Sequence, residues 1–411
     1  MLDLTITDMA NGGHGIGRAD GKTIFVPYTI PGEAVRAQIH DDRGRFAFAE
    51  GVTVHDPSAD RVLPACPHFG PRRCGGCQWQ HIDYPAQLAL KTDIVADQLA
   101  RIGGFDDADV AMTIPAPQQW FYRHDATFLP QNEGGGFAFP SSNDGALFLI
   151  DECHIITPEL LALKEQLDFE LATLTHVILR ENGLGDLMVI LSTEDDEAPE
   201  LEVDLTASVN FLLSDDEPAN LIGSTHLNYL FLGRKFRATA GSFLRGNLSQ
   251  MEVLLTTIRQ WLDLRGDESV LDLYCGIGLL AAALAPDANL VTCVDSYPPA
   301  MTDAEENLDD FDNIDLIEGD VVDVLPLLAA DEDYHVALID PLAGGMGTDA
   351  IDALESALPP RLIYIADDPA TLARDAKRLA SRYDYRLGKV QPIDFEPQTF
   401  RAVTLADFHR R

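Results

Sequence analysis

The sequence predicts an α/β protein. An OB-like β-barrel comes first, a mixed α/β centre with a cysteine-rich cluster loop follows, and a Rossmann-like parallel sheet closes the chain. Three observations carry this expectation. Short strand-like segments separated by Gly, Pro and Asp turns crowd the first 56 residues. Cys66, Cys74 and Cys77 fall within twelve positions of one another in a stretch rich in Pro, Gly and His. From about residue 248 onward, apolar strand-like runs alternate with helical stripes, the signature of a parallel sheet with crossover helices. The expected divisions are 1–56, 57–240 and 241–411.

In the first unit, Leu2–Ile6, Thr23–Val26, Ala34–Ile39 and Phe46–Val54 have strand composition. Barrels of this size often offer a sheet face to nucleic acid, and the same pattern equally suits a barrel with no such role. A helix is expected after the cysteine loop. Asp83 is its candidate N-cap, Leu88, Ile94, Val95, Leu99 and Ile102 form its apolar stripe, and Gly103-Gly104 stop it. Residues 105–240 read as mixed, with one helix near Pro158–Leu174.

Composition narrows the function classes. With 411 residues, 46% apolar and 23% charged, the chain folds into more than one domain. No basic leader precedes an apolar run, and the apolar stretch Leu279–Ala285 is soon broken by Pro286 and Asp287, so a cytoplasmic chain without a membrane partner is expected. The net charge of −38 opposes nucleic-acid binding, which draws on Lys and Arg to neutralise phosphates. Acidic runs at Glu194–Glu197, Asp215–Glu217 and Asp303–Asp312 read as solvated surface, and Arg72, Arg73, Lys91 and Arg101 are the candidates for a local basic patch.

The last unit is expected to start with helix Gln250–Leu264 and strand Ser269–Leu273, followed by a Gly turn and helix Leu279–Leu284. Strands Leu290–Asp295, Ile314–Glu318, His335–Asp340 and Arg361–Ala366 then alternate with helices Pro299–Leu308, Val322–Leu328, Ala350–Leu358 and Ala370–Ala380. Two final strands near Tyr385–Ile393 and Ala402–Phe408 would form an antiparallel edge. Asp272 precedes the turn, and Gly276 and Gly278 let the backbone approach a ligand. Position 281 is Ala, so the third glycine of a dinucleotide fingerprint is missing. Asp295 ends the second strand, where a carboxylate can hold a ribose diol, and Asp320 follows the third, within reach of an adenine ring. A ribose and adenine site without pyrophosphate recognition suits S-adenosylmethionine. Cys275 and Cys293 read as packing residues.

Cys66, Cys74 and Cys77 need a fourth ligand, and Cys153 is the remaining cysteine not placed on the parallel sheet. Four thiolates suit zinc or an iron–sulfur cluster, and His68 and His81 keep zinc open; spacing does not choose between them.

Taken together, these motifs resemble one family. "CPHFGPRRCGGCQWQH" is similar to the cluster loop of the bacterial uracil-C5 methyltransferases of 23S rRNA and tRNA. "DLYCGIGLL" resembles their cofactor loop, "DPATLARD" their catalytic-loop helix, and "NGGHGIGRADGKTIFVPYTIPGE" their TRAM domain. The resemblance spans essentially the whole chain. It implies a class I S-adenosylmethionine-dependent fold, a monomer acting on rRNA or tRNA, and a 4Fe–4S cluster at Cys66, Cys74, Cys77 and Cys153, with zinc the lesser alternative. The family's first cysteine gap is shorter by two residues.

The resemblance also implies a chemistry this sequence departs from. In that chemistry a thiolate adds to uracil C6, the resulting enolate takes the methyl at C5, and a carboxylate removes the C5 proton. Here Asp367 stands at the nucleophile position, Val403 at the base position and Arg401 at the preceding His position. The basic residue expected after Asp340-Pro341 is replaced by Leu342-Ala343. The cofactor-side Phe-x-Gln-x-Asn becomes Phe243-Leu244-Arg245-Gly246-Asn247. Two expectations follow: an RNA- and cofactor-binding member without C5 methylation, or an RNA methyltransferase acting at a nitrogen or oxygen atom with Asp340, Asp367 and Asp368 as bases.

Overall fold

A computed structural model describes all residues except 131–135, 142–144, 168–172, 199–205, 329–332 and 411. Five strands, β1 (Leu2–Met9), β2 (Gly15–Ala19), β3 (Lys22–Val26), β4 (Ala34–Asp42) and β5 (Phe46–Asp56), close a barrel in the order β1-β2-β3-β5-β4. Strand β2 is absent from the sequence reading because Gly15 and Gly17 dilute its strand composition. Both glycines serve close packing: a Cβ at Gly17 would meet Leu4 at 1.9 Å, and one at Gly15 would meet Thr29 at 2.2 Å. Ile6, Ile24, Val26, Val35, Ala37 and Ala47 fill the barrel.

Helix α1 (Tyr84–Gln98) runs on through a wider turn, Leu99–Gly103, and stops at Gly104 with φ +79°, as Gly103-Gly104 foretold. Asp83 occupies the N-cap without a side-chain capping bond, and Pro85 starts the helix instead. Lys91 corrects the basic-patch expectation. It is buried on the inner face of α1, 2.5 Å from Asp394, and also donates to the Glu396 carbonyl. Arg72 pairs with Glu50 and Arg101 with Asp97, so these residues do not form one free cationic surface.

The centre holds a seven-stranded sheet in which Leu174–Glu181 lies between Asp125–Pro130 and Leu187–Thr193. The expected helix near residue 158 is short, Pro158–Lys164. Residues 168–172 of that expectation lie outside the described residues, and Leu174 begins a strand rather than ending a helix. The misreading has a local cause: the leucines here suit either period.

The last sheet has eight strands. From one edge they run Ile314–Glu318, Leu290–Asp295, Ser269–Leu273, Val336–Ile339, Arg361–Ala366, Val403–Arg410, Tyr385–Ile393 and Asp109–Val110. The first five are parallel, and Val403–Arg410 joins antiparallel to both neighbours. The expected closing pair therefore forms, but the two-residue strand Asp109–Val110, contributed from far upstream, takes the outer edge. No described helix is long and apolar enough to cross a membrane.

Barrel, cysteine loop and sheet meet at one place. Asn11 Nδ2 donates to Asp368 Oδ1 (3.0 Å), and Trp79 Nε1 donates to the Gly13 carbonyl (3.2 Å). The backbone N–H groups of Gln78 and Trp79 both donate to the Gln398 carbonyl, at 3.1 and 2.9 Å.

Candidate active site and cysteine cavity

Strand Ser269–Leu273 is buried along its whole length and turns sharply after Tyr274, at φ +62°. Gly276 (φ +53°) and Gly278 (φ +81°) carry the backbone into helix Leu279–Leu284. A Cβ at Gly276 would meet nothing within 4 Å, so the turn opens onto free space; one at Gly278 would strike Leu308 at 2.7 Å. Asp295 Oδ2 accepts from the Gly276 N–H and Oδ1 from the Tyr297 N–H, both at 2.9 Å, which sets the second strand's carboxylate against the turn. Asp320 accepts from the Val322 N–H (2.8 Å) at the end of the third strand.

Asp272 is the anomaly of this half. Its side chain is fully buried, and neither carboxylate oxygen has a hydrogen-bond partner among the described residues. Burial pushes its pKa well above the usual carboxylate range, and the nearby Asp340 and Asp295 push in the same direction. An orphaned buried acid is costly unless a ligand completes it. S-adenosylmethionine carries a cationic sulfonium and an α-ammonium group, and Asp295, held against the open glycine turn, has the sign that suits it.

The other half is closed by charge. The Arg245 guanidinium forks onto Asp340 at 2.9 and 2.7 Å and reaches Asp367 at 3.0 and 3.3 Å. Burial opposes the positive charge, but the two carboxylates hold the guanidinium firmly protonated. Asp340 is pushed upward by burial and pulled back by Arg245. Phe243 and Phe395 lie 5.6 and 6.0 Å from the guanidinium carbon. Asn247 is committed elsewhere: its Oδ1 accepts from the Gln250 N–H to cap helix Leu248–Leu262, and its Nδ2 donates to the Phe395 carbonyl.

Beside Asp367 lies a cavity of about 260 Å³ lined by Tyr122, Arg123, Phe243, Arg245, Arg401 and Val403, among others. The structure thus gathers Asp367, Val403, Arg401 and Arg245 around one space. Val403 is a buried apolar wall at the start of its strand. Asp368 is turned away, capping helix Pro369–Tyr383 through the Ala370 N–H (2.8 Å) while it receives Asn11. Neither Cys275 nor Cys293 lines the cavity, and both are buried in the core. Carboxylates and three guanidinium groups line this space, with no thiol among the described lining residues. Sequence reasoning missed Tyr122 and Arg123, which come from a segment with no motif of its own.

Cys66, Cys74, Cys77 and Cys153 line a second cavity of about 390 Å³. Burial pushes the Cys74 thiol up to about 11, and the other three thiols upward as well. Among the described residues no three His, Cys, Asp or Glu side chains close on a single ion position. His68 borders this cavity and pairs with Asp151. His81 does not border it: it stacks against Phe69, and burial brings its pKa down to about 3. Arg123 forms part of the wall of both cavities.

Glycine turn, acid-ended strands and parallel order define a methyltransferase-type sheet carrying an RNA-binding type of barrel. Residues 1–52 match the TRAM domain. The chain is 30% identical, over 99% of its length and 96% of the other's, to an uncharacterized RNA methyltransferase of Halalkalibacterium halodurans. A similarly named protein of Streptomyces coelicolor is 32% identical over 97% of this chain and 90% of its own. In fold the chain matches the tRNA (uracil-54, C5)-methyltransferase of Pyrococcus abyssi, solved with S-adenosyl-L-homocysteine. The TM-score is 0.74 at 22% identity, covering 99% of this chain and all of that one. The chain belongs to the RNA methyltransferase family of these relatives.

Proposed function

We propose that this chain binds S-adenosylmethionine and RNA, rRNA or tRNA, in the cytoplasm and as a monomer, and does not form 5-methyluridine by the thiolate route. One observation carries the reading: the position of the nucleophile holds a carboxylate, Asp367, already neutralised by Arg245 inside the target cavity. A carboxylate is a hard, weak nucleophile for conjugate addition, and a second negative charge beside a forming enolate raises the barrier. Val403 offers no proton acceptor at the base position. Asp340 is tied up by the bidentate fork from Arg245.

The cofactor half retains what binding needs. Gly276 and Gly278 would form the cradle, with Asp295 at the ribose position and Asp320 at the adenine position; Asp272 is fully buried and Asp340 is paired with Arg245. Phe243 lines the target cavity, whereas Arg245 and Asn247 serve the ion pairs and the helix cap. Bound there, S-adenosylmethionine would supply an electrophilic methyl group. The four cysteines line one cavity, and the likeness of the loop to the family's cluster loop supports a 4Fe–4S cluster over zinc; bound there, it would cross-link the loop of Cys66–Cys77 to Cys153.

Calorimetric titration with S-adenosylmethionine, combined with transfer of its labelled methyl group to RNA, tests the reading. Saturable binding without incorporation is the expected result. Incorporation into RNA would reject it, and the identity of the methylated nucleoside would show whether a nitrogen or oxygen atom is the target.

A further inference from the structure

One face of the barrel is aromatic where it meets solvent. Strand β3 pairs in parallel with β5, which sets Phe25 opposite Phe48 and Thr23 opposite Phe46. Phe25 and Phe48 stack with centroids 5.4 Å apart and 30° between planes, and Phe46 meets both edge-on, at 6.0 and 5.8 Å. His14 meets Phe48 edge-on in turn, at 6.1 Å. Phe46 is 38% exposed, although the barrel has an aliphatic core of its own to hold it together. An uncovered row of rings on a small barrel needs an occupant.

Two further features say what the occupant is. Arg18 lies opposite Thr23, which lies opposite Phe46, and Arg45 immediately precedes Phe46; among the described residues neither arginine is paired with a carboxylate. In a chain of net charge −38, unpaired cations beside exposed rings mark a place for phosphates next to bases. The row also leads somewhere. Phe48, His14 and Phe400 all line one cleft of about 700 Å³. Phe400 precedes Arg401, which lines the cavity beside Asp367.

We propose that Phe46, Phe25 and Phe48 form a stacking platform for unpaired nucleotides, which the cleft at Phe400 delivers toward the target cavity. The inference rests on the RNA-binding reading and deepens it: the ligand is single-stranded RNA, held by stacking with few phosphate contacts. The two free arginines allow roughly two phosphate contacts, so the slope of log K against log salt is about −1.4, and raising salt from about 50 to 200 mM weakens binding only about sevenfold.

The test measures full-length protein binding to a ten-nucleotide oligouridylate and to a duplex RNA of equal length. Phe46→Ala, which leaves the aliphatic core untouched, is expected to weaken oligouridylate binding about tenfold. Phe46→Trp is expected to retain binding and to show indole fluorescence quenched by the oligomer. Unchanged affinity in Phe46→Ala with no quenching in Phe46→Trp, while the parent protein still binds RNA, overturns the platform and leaves the RNA reading intact. A preference for the duplex, or a salt slope several times steeper, also overturns it. If the parent protein binds neither RNA, the platform and the reading beneath it both fail.

Discussion

The two halves of the candidate site differ in how their charges are satisfied. On the cofactor side, Asp272 is buried without a partner and the turn at Gly276 faces open space. On the target side, one guanidinium, Arg245, pairs with both Asp340 and Asp367, leaving one negative charge shared between the two acids. An unsatisfied buried acid destabilises the empty protein, so its presence argues for a ligand. The Arg245 triad, by contrast, is held by its own ion pairs. On the proposed reading the first half receives a cofactor and the second no longer supports C5 methylation.

The largest effect should come from restoring what the target half lacks. Asp367→Cys with Val403→Glu and Arg245→Gln together should produce 5-methyluridine in RNA from a parent that makes none, read by nucleoside mass spectrometry. The Arg245 change belongs with the others because a guanidinium left beside Asp340 alone would still occupy the cavity. Next, Arg245→Met should lower stability by about 3–5 kcal/mol at neutral pH, because two neighbouring carboxylates lose their shared cation. Asp340, whose pKa burial pushes upward, becomes easier to bury as it protonates, so part of the loss should return as pH falls in thermal melts.

On the cofactor side, Gly276→Val should weaken S-adenosylmethionine binding about a hundredfold and also lower the melting temperature of the ligand-free protein by a few degrees. A β-branched residue at φ +53° is strained, and its side chain would enter the space the ligand needs. The smallest effect is the most diagnostic. Asp272→Asn should raise the stability of the empty protein by about 1–3 kcal/mol while weakening the cofactor about tenfold. The sign follows from the shift: the folded pKa lies well above that of a solvated carboxylate, so the parent's stability from this group is greatest below the ordinary carboxylate range and is lost as pH rises through the folded pKa. The variant should lack that pH dependence. A stability loss in Asp272→Asn would break the contrast between the halves.

Much of this was legible in the sequence because the governing signals are local. Strand Ser269–Leu273, the glycine turn and the acids at 272, 295 and 320 sit in runs whose period and spacing declare them. Asp367 and Val403 were legible by resemblance, through their place in short motifs. The pairings were not legible, because they join residues hundreds of positions apart. Lys91 read as a surface cation and is instead a buried partner of Asp394. Arg245 read as a cofactor-side substitution and is instead the hub of the ion triad. Strand Asp109–Val110 is too short for any period to register. Strand β2 was hidden because its glycines are chosen for what they pack against, namely Leu4 and Thr29.

The most direct test incubates the purified, unaltered protein with methyl-labelled S-adenosylmethionine and unmodified ribosomal or transfer RNA, then digests the RNA to nucleosides. The ion triad at Arg245 predicts bound cofactor and no labelled ribothymidine. Labelled ribothymidine in that digest would mean that Asp367 does not block the pyrimidine chemistry, and the account of the target half would be wrong.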